Sequence, residues 1–391
     1  MSVMFVDLLL AVLLLAAFAG GVSRGLLGTL GGLLGLVVGG AAAFWLVPVV
    51  NDALPSSGWR GPVVVGVALL LPLLGASVGG AVGRALRRGV DRTPLKPVDR
   101  VLGGVASLVV GAVAVSFVGT SIAATGAPVI GTAVASSSVL RTIDRLTPAP
   151  VGRALAGLRD VVLDEGLPRL QIVVPGLTPA VPDVDLAEPA LAKAARSVAR
   201  IAGTAYACGT SSTGSGFVIA PDRVVTNAHV VAGVDRPVVE LPGSPARQGT
   251  IVYFDPVGDL AVIAVDHLDA APLPIAPTLA TDSLAVVQGY PYGGPLTSGG
   301  AKVLAVDTAP IPDIYGQGGS DREIYALAAQ VRPGNSGGPL LTTDGQAAGV
   351  VFARAEKDPN LGFAMTTTEL MPVVAQAASL DKPVASGACT R

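Results

Sequence analysis

Charge is scarce in this 391-residue chain: 14% of its residues are Asp, Glu, Lys or Arg, and aromatic residues make up only 4%. With 51% apolar residues and a mean hydropathy of +0.63, that scarcity excludes a single soluble domain and points to several membrane spans. A formal net charge of −2 leaves no basic footprint, so nucleic acid is not an expected partner. Histidine and cysteine occur twice each. Without a Cys/His cluster, no metal and no organic cofactor is expected.

What is present is unevenly placed. Residues 1–125 are nearly all Leu, Val, Gly and Ala, whereas residues 196–391 read as a β-rich soluble domain. Four apolar stretches, at about 3–21, 26–47, 62–83 and 101–120, each approach the ~20 residues that cross ~30 Å of hydrocarbon. Ala17-Phe18-Ala19 has the form of a signal-peptide cleavage site, but no Lys or Arg precedes it and three further spans follow. Arg84, Arg87, Arg88, Arg92, Lys96 and Arg100 crowd the loop before the fourth span, against only Asp91 and Asp99. That loop is expected in the cytoplasm. The N-terminus and everything after the fourth span are then expected outside, on the periplasmic face of a multi-pass cell-membrane protein whose partner is the lipid bilayer. Glycines four apart, such as Gly31/Gly35/Gly39 and Gly75/Gly79/Gly83, let helix backbones approach closely, in one bundle or in a dimer.

Between the halves, residues 124–150 are expected as loops and residues 150–164 as a short amphipathic helix. Pro175, Pro179, Pro182 and Pro189 predict an extended linker, and residues 190–200 a short helix. The plan is therefore a transmembrane domain at 1–123, a linker at 124–195 and a soluble domain at 196–391. In the last, many short β-type runs at about ten-residue spacing predict an all-β sandwich or barrel. Cys208 and Cys389 both fall there, and an even count outside the cytoplasm predicts a disulfide, with two free thiols as the alternative.

Three motifs sit in this β frame. Gly214-Ser215-Gly216-Phe217 is followed by Thr226-Asn227-Ala228-His229-Val230, which places an imidazole at a strand end. The other histidine, His267, lies in a polar turn. Gly258-Asp259-Leu260-Ala261-Val262 opens an apolar strand with an acid that is able to orient an imidazole, while Asp255 nearby does not abut the strand. Arg332-Pro333-Gly334-Asn335-Ser336-Gly337-Gly338-Pro339-Leu340 flanks a serine with glycines. Such a turn exposes the hydroxyl and aims the NH groups of Gly334 and Ser336 at one spot.

Together these strings resemble the trypsin-like serine proteases of the chymotrypsin fold, in the bacterial Deg/HtrA branch. The spans resemble the colicin V production family, and the whole chain resembles the actinobacterial membrane-bound acid-resistance proteases of the MarP type. The resemblance implies a multi-domain protein in which four α-helical spans precede an all-β double-barrel, chymotrypsin-like domain. It implies a catalytic triad of His229, Asp259 and Ser336, and an oxyanion hole from Gly334 and Ser336. Its pocket residues correspond to Gln330 at the base, with Phe352, Ala353 and Phe363 in the walls. An uncharged base implies a preference for medium apolar or uncharged side chains rather than Arg or Lys. Implied substrates are proteins outside the cytoplasm, in envelope or acid-stress protection, and self-cleavage is expected in the linker at about 170–200. With the sequence ending at Arg391, the PDZ module of most Deg/HtrA proteins is not expected. Two other functions compete: an inactive protease-like sensor or binding module, and a transporter with a protease appendage. The intact motifs disfavour the former, and spans poor in charge disfavour the latter.

Overall fold

The computed structural model describes residues 3–53, 60–90, 93–124, 133–134, 136–148, 151, 167–170, 179–208 and 210–390. Two compact units emerge, one of Asp7–Val115 and one of Met1–Val6 with Ser116–Arg391.

The Leu-, Val- and Gly-rich runs form three long helices, α1 (Val3–Ala53), α2 (Arg60–Val90) and α3 (Lys96–Ala124). Each is long and apolar enough to cross a membrane. α1 breaks at Gly25, whose φ of 70° favours glycine. The segments on either side are about 33 and 42 Å long at 1.5 Å per residue. A buried ion pair serves the polar groups that the break frees. Arg87 donates to the Ser23 carbonyl (2.6 Å), Asp99 accepts from the Leu27 amide (3.3 Å), and the two side chains meet at 3.1 Å. The glycines four apart face each other within the chain: a Cβ on Gly35 would overlap the Gly75 carbonyl, and one on Gly79 the Gly31 carbonyl.

Past the spans, two expectations need correction. Within the stretch predicted as loops lies a helix, α4 (Ser138–Leu146), where the Ser137 hydroxyl accepts from the Leu140 amide as N-cap. The helix predicted to run to Arg200 ends earlier: α5 is Pro189–Ala195, with proline in its first turn, and a strand starts at Val198. Pairing decides this. Val198 and Ile201 are fully buried and align with Phe217 and Gly214 of the neighbouring strand, which outweighs local helix preference. The amphipathic helix predicted at 150–164 lies outside the described residues, apart from Val151.

The soluble part contains β1 (Arg169–Leu170), β2 (Val198–Ala205), β3 (Thr210–Ala220), β4 (Arg223–Thr226), β5 (Val238–Glu240), β6 (Arg247–Gln248) and β7 (Thr250–Asp255). It continues with β8 (Leu260–Ala264), β9 (Leu284–Gly289), β10 (Thr297–Ile311), β11 (Ser320–Ala328), β12 (Pro339–Thr342), β13 (Ala347–Ala355) and β14 (Leu361–Thr366). The short helix α6 (Ala228–Val231) follows β4, and α7 (Thr367–Ala377) follows β14. One sheet has the order β6-β5-β2-β3-β4-β8-β7. The other runs β1-β13-β12-β9-β10-β11-β14, and an added β13–β14 pairing closes six of its strands into a ring. Phe217 and Val262 of the first sheet share an apolar core with Phe352, Phe363 and Leu370. Each such buried side chain contributes about 1.5–3 kcal/mol.

The C-terminal tail returns across both sheets. The Val384 amide donates to the Ile251 carbonyl (2.9 Å), the Gly233 amide to the Ser386 carbonyl (3.1 Å), and the Ala388 amide to the Tyr315 hydroxyl (3.2 Å). A Cys208–Cys389 disulfide, with a Cα separation of 6.5 Å, closes a loop of 181 residues and pins the tail to the β2–β3 hairpin. Loops of this length contribute at most about 5 kcal/mol, and 2–4 kcal/mol in typical cases. Cys389→Ser is therefore expected to lower Tm by roughly 5–15 °C in a thermal melt of the oxidised protein. An unchanged Tm would mean that the backbone bonds hold the tail unaided.

Candidate active site

His229 and Asp259 are thirty residues apart, yet one strand pairing brings them together. β4 runs antiparallel to β8 with Thr226 opposite Ala261, so the residues just after β4 and just before β8 share one sheet end. The backbone of Asp259 adopts φ 54°, a left-handed conformation that Asp tolerates. Its carbonyl accepts from Asn227 Nδ2 at 2.9 Å. Its carboxylate accepts from the His229 amide at 3.0 Å and faces His229 Nδ1 with both oxygens, at 2.9 and 3.0 Å. The Asp259 side chain is buried and the imidazole nearly so. Because a carboxylate only accepts, Nδ1 carries the proton and Nε2 is left to take one. Asp255 is spent elsewhere, accepting from the amides of Val257 and Gly258.

Ser336 lies in the turn before β12, where Gly334 (φ 89°) and Gly337 (φ 82°) occupy backbone conformations that a side chain would strain. A Cβ on Gly334 would also overlap the Tyr290 carbonyl. The Pro333 carbonyl accepts from the Tyr292 amide (2.7 Å), and the Asn335 carbonyl from the Gly338 amide (2.9 Å). In a trans peptide the N–H points opposite to the C=O, so the amides of Gly334 and Ser336 turn away from those bonds. Neither donates to a protein acceptor among the described residues. Two uncommitted amides at the lip of a cleft are what a developing oxyanion requires. His229, Asp259, Gly334 and Ser336 all line that cleft, of about 510 Å³. Between Ser336 Oγ and the imidazole there is no hydrogen bond in this structure. Such bonds are commonly long in unliganded sites and tighten around substrate.

Comparison with known proteins follows this geometry. Residues 214–350 match the trypsin-like peptidase domain family and residues 6–148 the colicin V production protein family. Serine protease Rv3671c of Mycobacterium tuberculosis is 35% identical over 314 residues, which cover 78% of this chain and 79% of that one. The chain belongs to the Rv3671c family of serine endopeptidases. The crystal structure of the active form of the Rv3671c protease aligns with a TM-score of 0.54 at 38% identity, covering 58% of this chain and all of that one, 100%. Mitochondrial serine protease HTRA2 of Bos taurus is 34% identical over 145 residues, 36% of this chain and 31% of its own.

In this member of the Rv3671c family the expected pocket residues do not all meet. Phe352 lines the cleft. Ala353 and Phe363 are fully buried opposite each other on β13 and β14 and back the wall from the core side. Gln330, expected at the pocket base, is instead exposed: it donates to Asn360 (3.2 Å), accepts from Arg332 (2.9 Å) and lines a separate depression with Thr297 and Arg332. Its amide stays with water, while the adjacent Val331 takes the buried place.

Two residues that support the site were not legible in the motifs. Ser215, fully buried, holds the Ser336 turn at two points. Its hydroxyl donates to the Gly334 carbonyl (2.6 Å) while accepting from the Tyr290 amide (2.9 Å), and its own amide donates to the Ser336 carbonyl (2.8 Å). Arg322, only 2% exposed, lines the cleft and bridges the sheets, donating to the carbonyls of Gly258 (3.2 Å) and Pro312 (2.9 Å) with its guanidinium over the Phe352 ring. Burial pushes that guanidinium below its ordinary pKa, and the nearby Asp259 charge opposes the shift. A strand-opening arginine reads in sequence as solvated; only the crossing of β11 near Gly258 shows otherwise.

Proposed function

We propose that this chain is a multi-pass, extracytoplasmic serine endopeptidase whose triad is His229, Asp259 and Ser336 and whose oxyanion hole is the amides of Gly334 and Ser336. The observation that carries it is the two-oxygen contact of Asp259 with His229 Nδ1, set in one cleft with the uncommitted amides of the Ser336 turn. Ser336 Oγ attacks the peptide carbonyl as Nε2 of His229 takes its proton. Asp259 stabilises the imidazolium, and His229 then protonates the departing amine. The double-barrel reading is supported by the ring of six strands in the second sheet.

Four crossings follow from counting α1 twice, once on each side of its Gly25 break. Arg84, Arg87 and Arg88 near the end of α2 and Lys96 and Arg100 at the start of α3, helical rather than in the expected loop, support the reading that the N-terminus and the protease lie on the outer, periplasmic side. The domain plan of 1–123, 124–195 and 196–391 is kept, with the last part of the linker belonging to the protease: Leu191 is buried, and its carbonyl accepts from Gln288 at 3.1 Å. Self-cleavage, expected over 170–200, is drawn toward the earlier part of that range, because Pro189–Ala195 is helix and Val198 onward is strand. Natural substrates are exposed segments of proteins outside the cytoplasm, in envelope or acid-stress protection, cut after apolar residues.

N-terminal proteomics of cells carrying wild type or Ser336→Ala tests this reading. New termini following apolar residues in extracytoplasmic proteins, lost in Ser336→Ala, are the expected result. Identical terminal sets, or cuts dominated by Arg and Lys, would overturn it.

A further inference from the structure

Residues of the chain itself border the groove that a substrate would enter. Leu167, Pro168, Arg169 and Leu170 line the cleft beside His229 and Ser336. β1 lies parallel to β13, with Arg169 opposite Arg354 and Leu170 opposite Ala355. The Arg354 amide donates to the Pro168 carbonyl (3.2 Å) and the Glu356 amide to the Leu170 carbonyl (3.1 Å). The other strand pairings in both sheets are antiparallel. Leu167 is buried to 7% in the apolar cluster that contains Val331, Val351 and Ala364. Val331 leads into the Ser336 turn, and the Val351 carbonyl accepts from the Gly337 amide at 2.8 Å, so this cluster adjoins that turn.

A sheet edge with a side-chain pocket next to it is how extended peptides are captured: backbone bonds give affinity and alternate side chains give specificity. Direction decides whether a captured chain is cut. A peptide cut after the residue in the pocket must send that residue's carbonyl to the Gly334 and Ser336 amides and leave its N-terminal side along β13. Here the residues that follow Leu167 lie along β13, and they run parallel to it. The bond that follows Leu167 also leads into the ring nitrogen of Pro168, a tertiary amide.

We propose that residues 167–170 are an internal competitive ligand of the substrate groove, bound in reverse, with Leu167 holding a side-chain pocket suited to aliphatic residues of leucine size. Protein substrates enter once this strap leaves. The consequence for turnover rests on the protease reading; the occupancy of the groove does not.

Both are tested on the full-length chain in detergent micelles. A fluorescein-labelled peptide of residues 165–171 (Glu-Gly-Leu-Pro-Arg-Leu-Gln) is titrated by anisotropy into Ser336→Ala and into Leu167→Asp/Ser336→Ala. At least tenfold tighter binding to the double variant is expected, because its groove has been vacated. Equal affinities, with the Tm of the two proteins unchanged, would overturn the proposal without reference to catalysis. In the chain with an intact Ser336, Leu167→Asp is expected to raise kcat/KM on a leucine-containing peptide amide about tenfold, with the 165–171 peptide inhibiting competitively and staying uncut. Leu167→Ala, which adds no charge, is expected to shift binding and turnover in the same direction by a smaller factor. Unchanged turnover in both variants, or cutting between Leu167 and Pro168, would overturn the reversed strap. Absence of turnover in every variant would sink the protease reading and leave the anisotropy result to decide the strap.

Discussion

Ser336→Ala is expected to lower kcat/KM on a peptide amide by on the order of 10⁴–10⁶-fold while leaving the fold intact. The size follows from the chemistry. Without Oγ no acyl-enzyme forms, and only the binding groove and the amides of Gly334 and Ser336 remain to act on a bound carbonyl. The intact fold follows from the geometry. The bonds that shape this turn run through backbone groups, the Ser336 carbonyl to the Ser215 amide and the Gly337 amide to the Val351 carbonyl, and alanine keeps them all. Steady-state kinetics beside a thermal melt checks both halves. A fall of less than tenfold at unchanged Tm would remove Ser336 from the chemistry.

Asp259→Asn should cost about 10⁴-fold in kcat with little change in KM. The carboxylate of Asp259 accepts from both the backbone amide and Nδ1 of His229. An asparagine of the same shape turns an NH₂ toward one of these donors. The imidazole then settles with its proton on Nε2, where it donates and is unable to take the Ser336 proton. The packing loss is small, since size and left-handed backbone are both kept. Nitrogen NMR of His229 would show the exchanged tautomer alongside the kinetic loss. Full activity in Asp259→Asn, or an Nδ1-protonated ring with the loss still present, would assign the orienting role elsewhere.

Much of the site was legible because short strings carry it. Thr226-Asn227-Ala228-His229 and Gly258-Asp259-Leu260 lie at the ends of the paired strands β4 and β8, so local pattern and long-range neighbour agree there. Gly334 and Gly337 announce a turn by backbone conformation alone. What was not legible depends on partners that periodicity does not see. Val198–Arg200 read as the end of a helix because their strand identity comes from alignment with β3. Ser215 reads as a small residue between glycines, and its hold on the Ser336 turn spans 119 residues of sequence. Gln330 was assigned to the pocket by its position before Ser336, yet burial selected Val331. β1 has two residues and no pattern of its own; only β13 makes it a strand. In the apolar half, the break at Gly25 lies between the first two expected spans, and Arg87 and Asp99, read there for their charge, turn out to cap it.

The convergence of imidazole, carboxylate and hydroxyl in one working site is tested most directly by a fluorophosphonate probe on the full-length protein, with the labelled residue mapped by mass spectrometry. The expected result is stoichiometric label on Ser336, lost in both Ser336→Ala and His229→Ala. Label on another residue, or label on Ser336 that persists undiminished in His229→Ala, would contradict it.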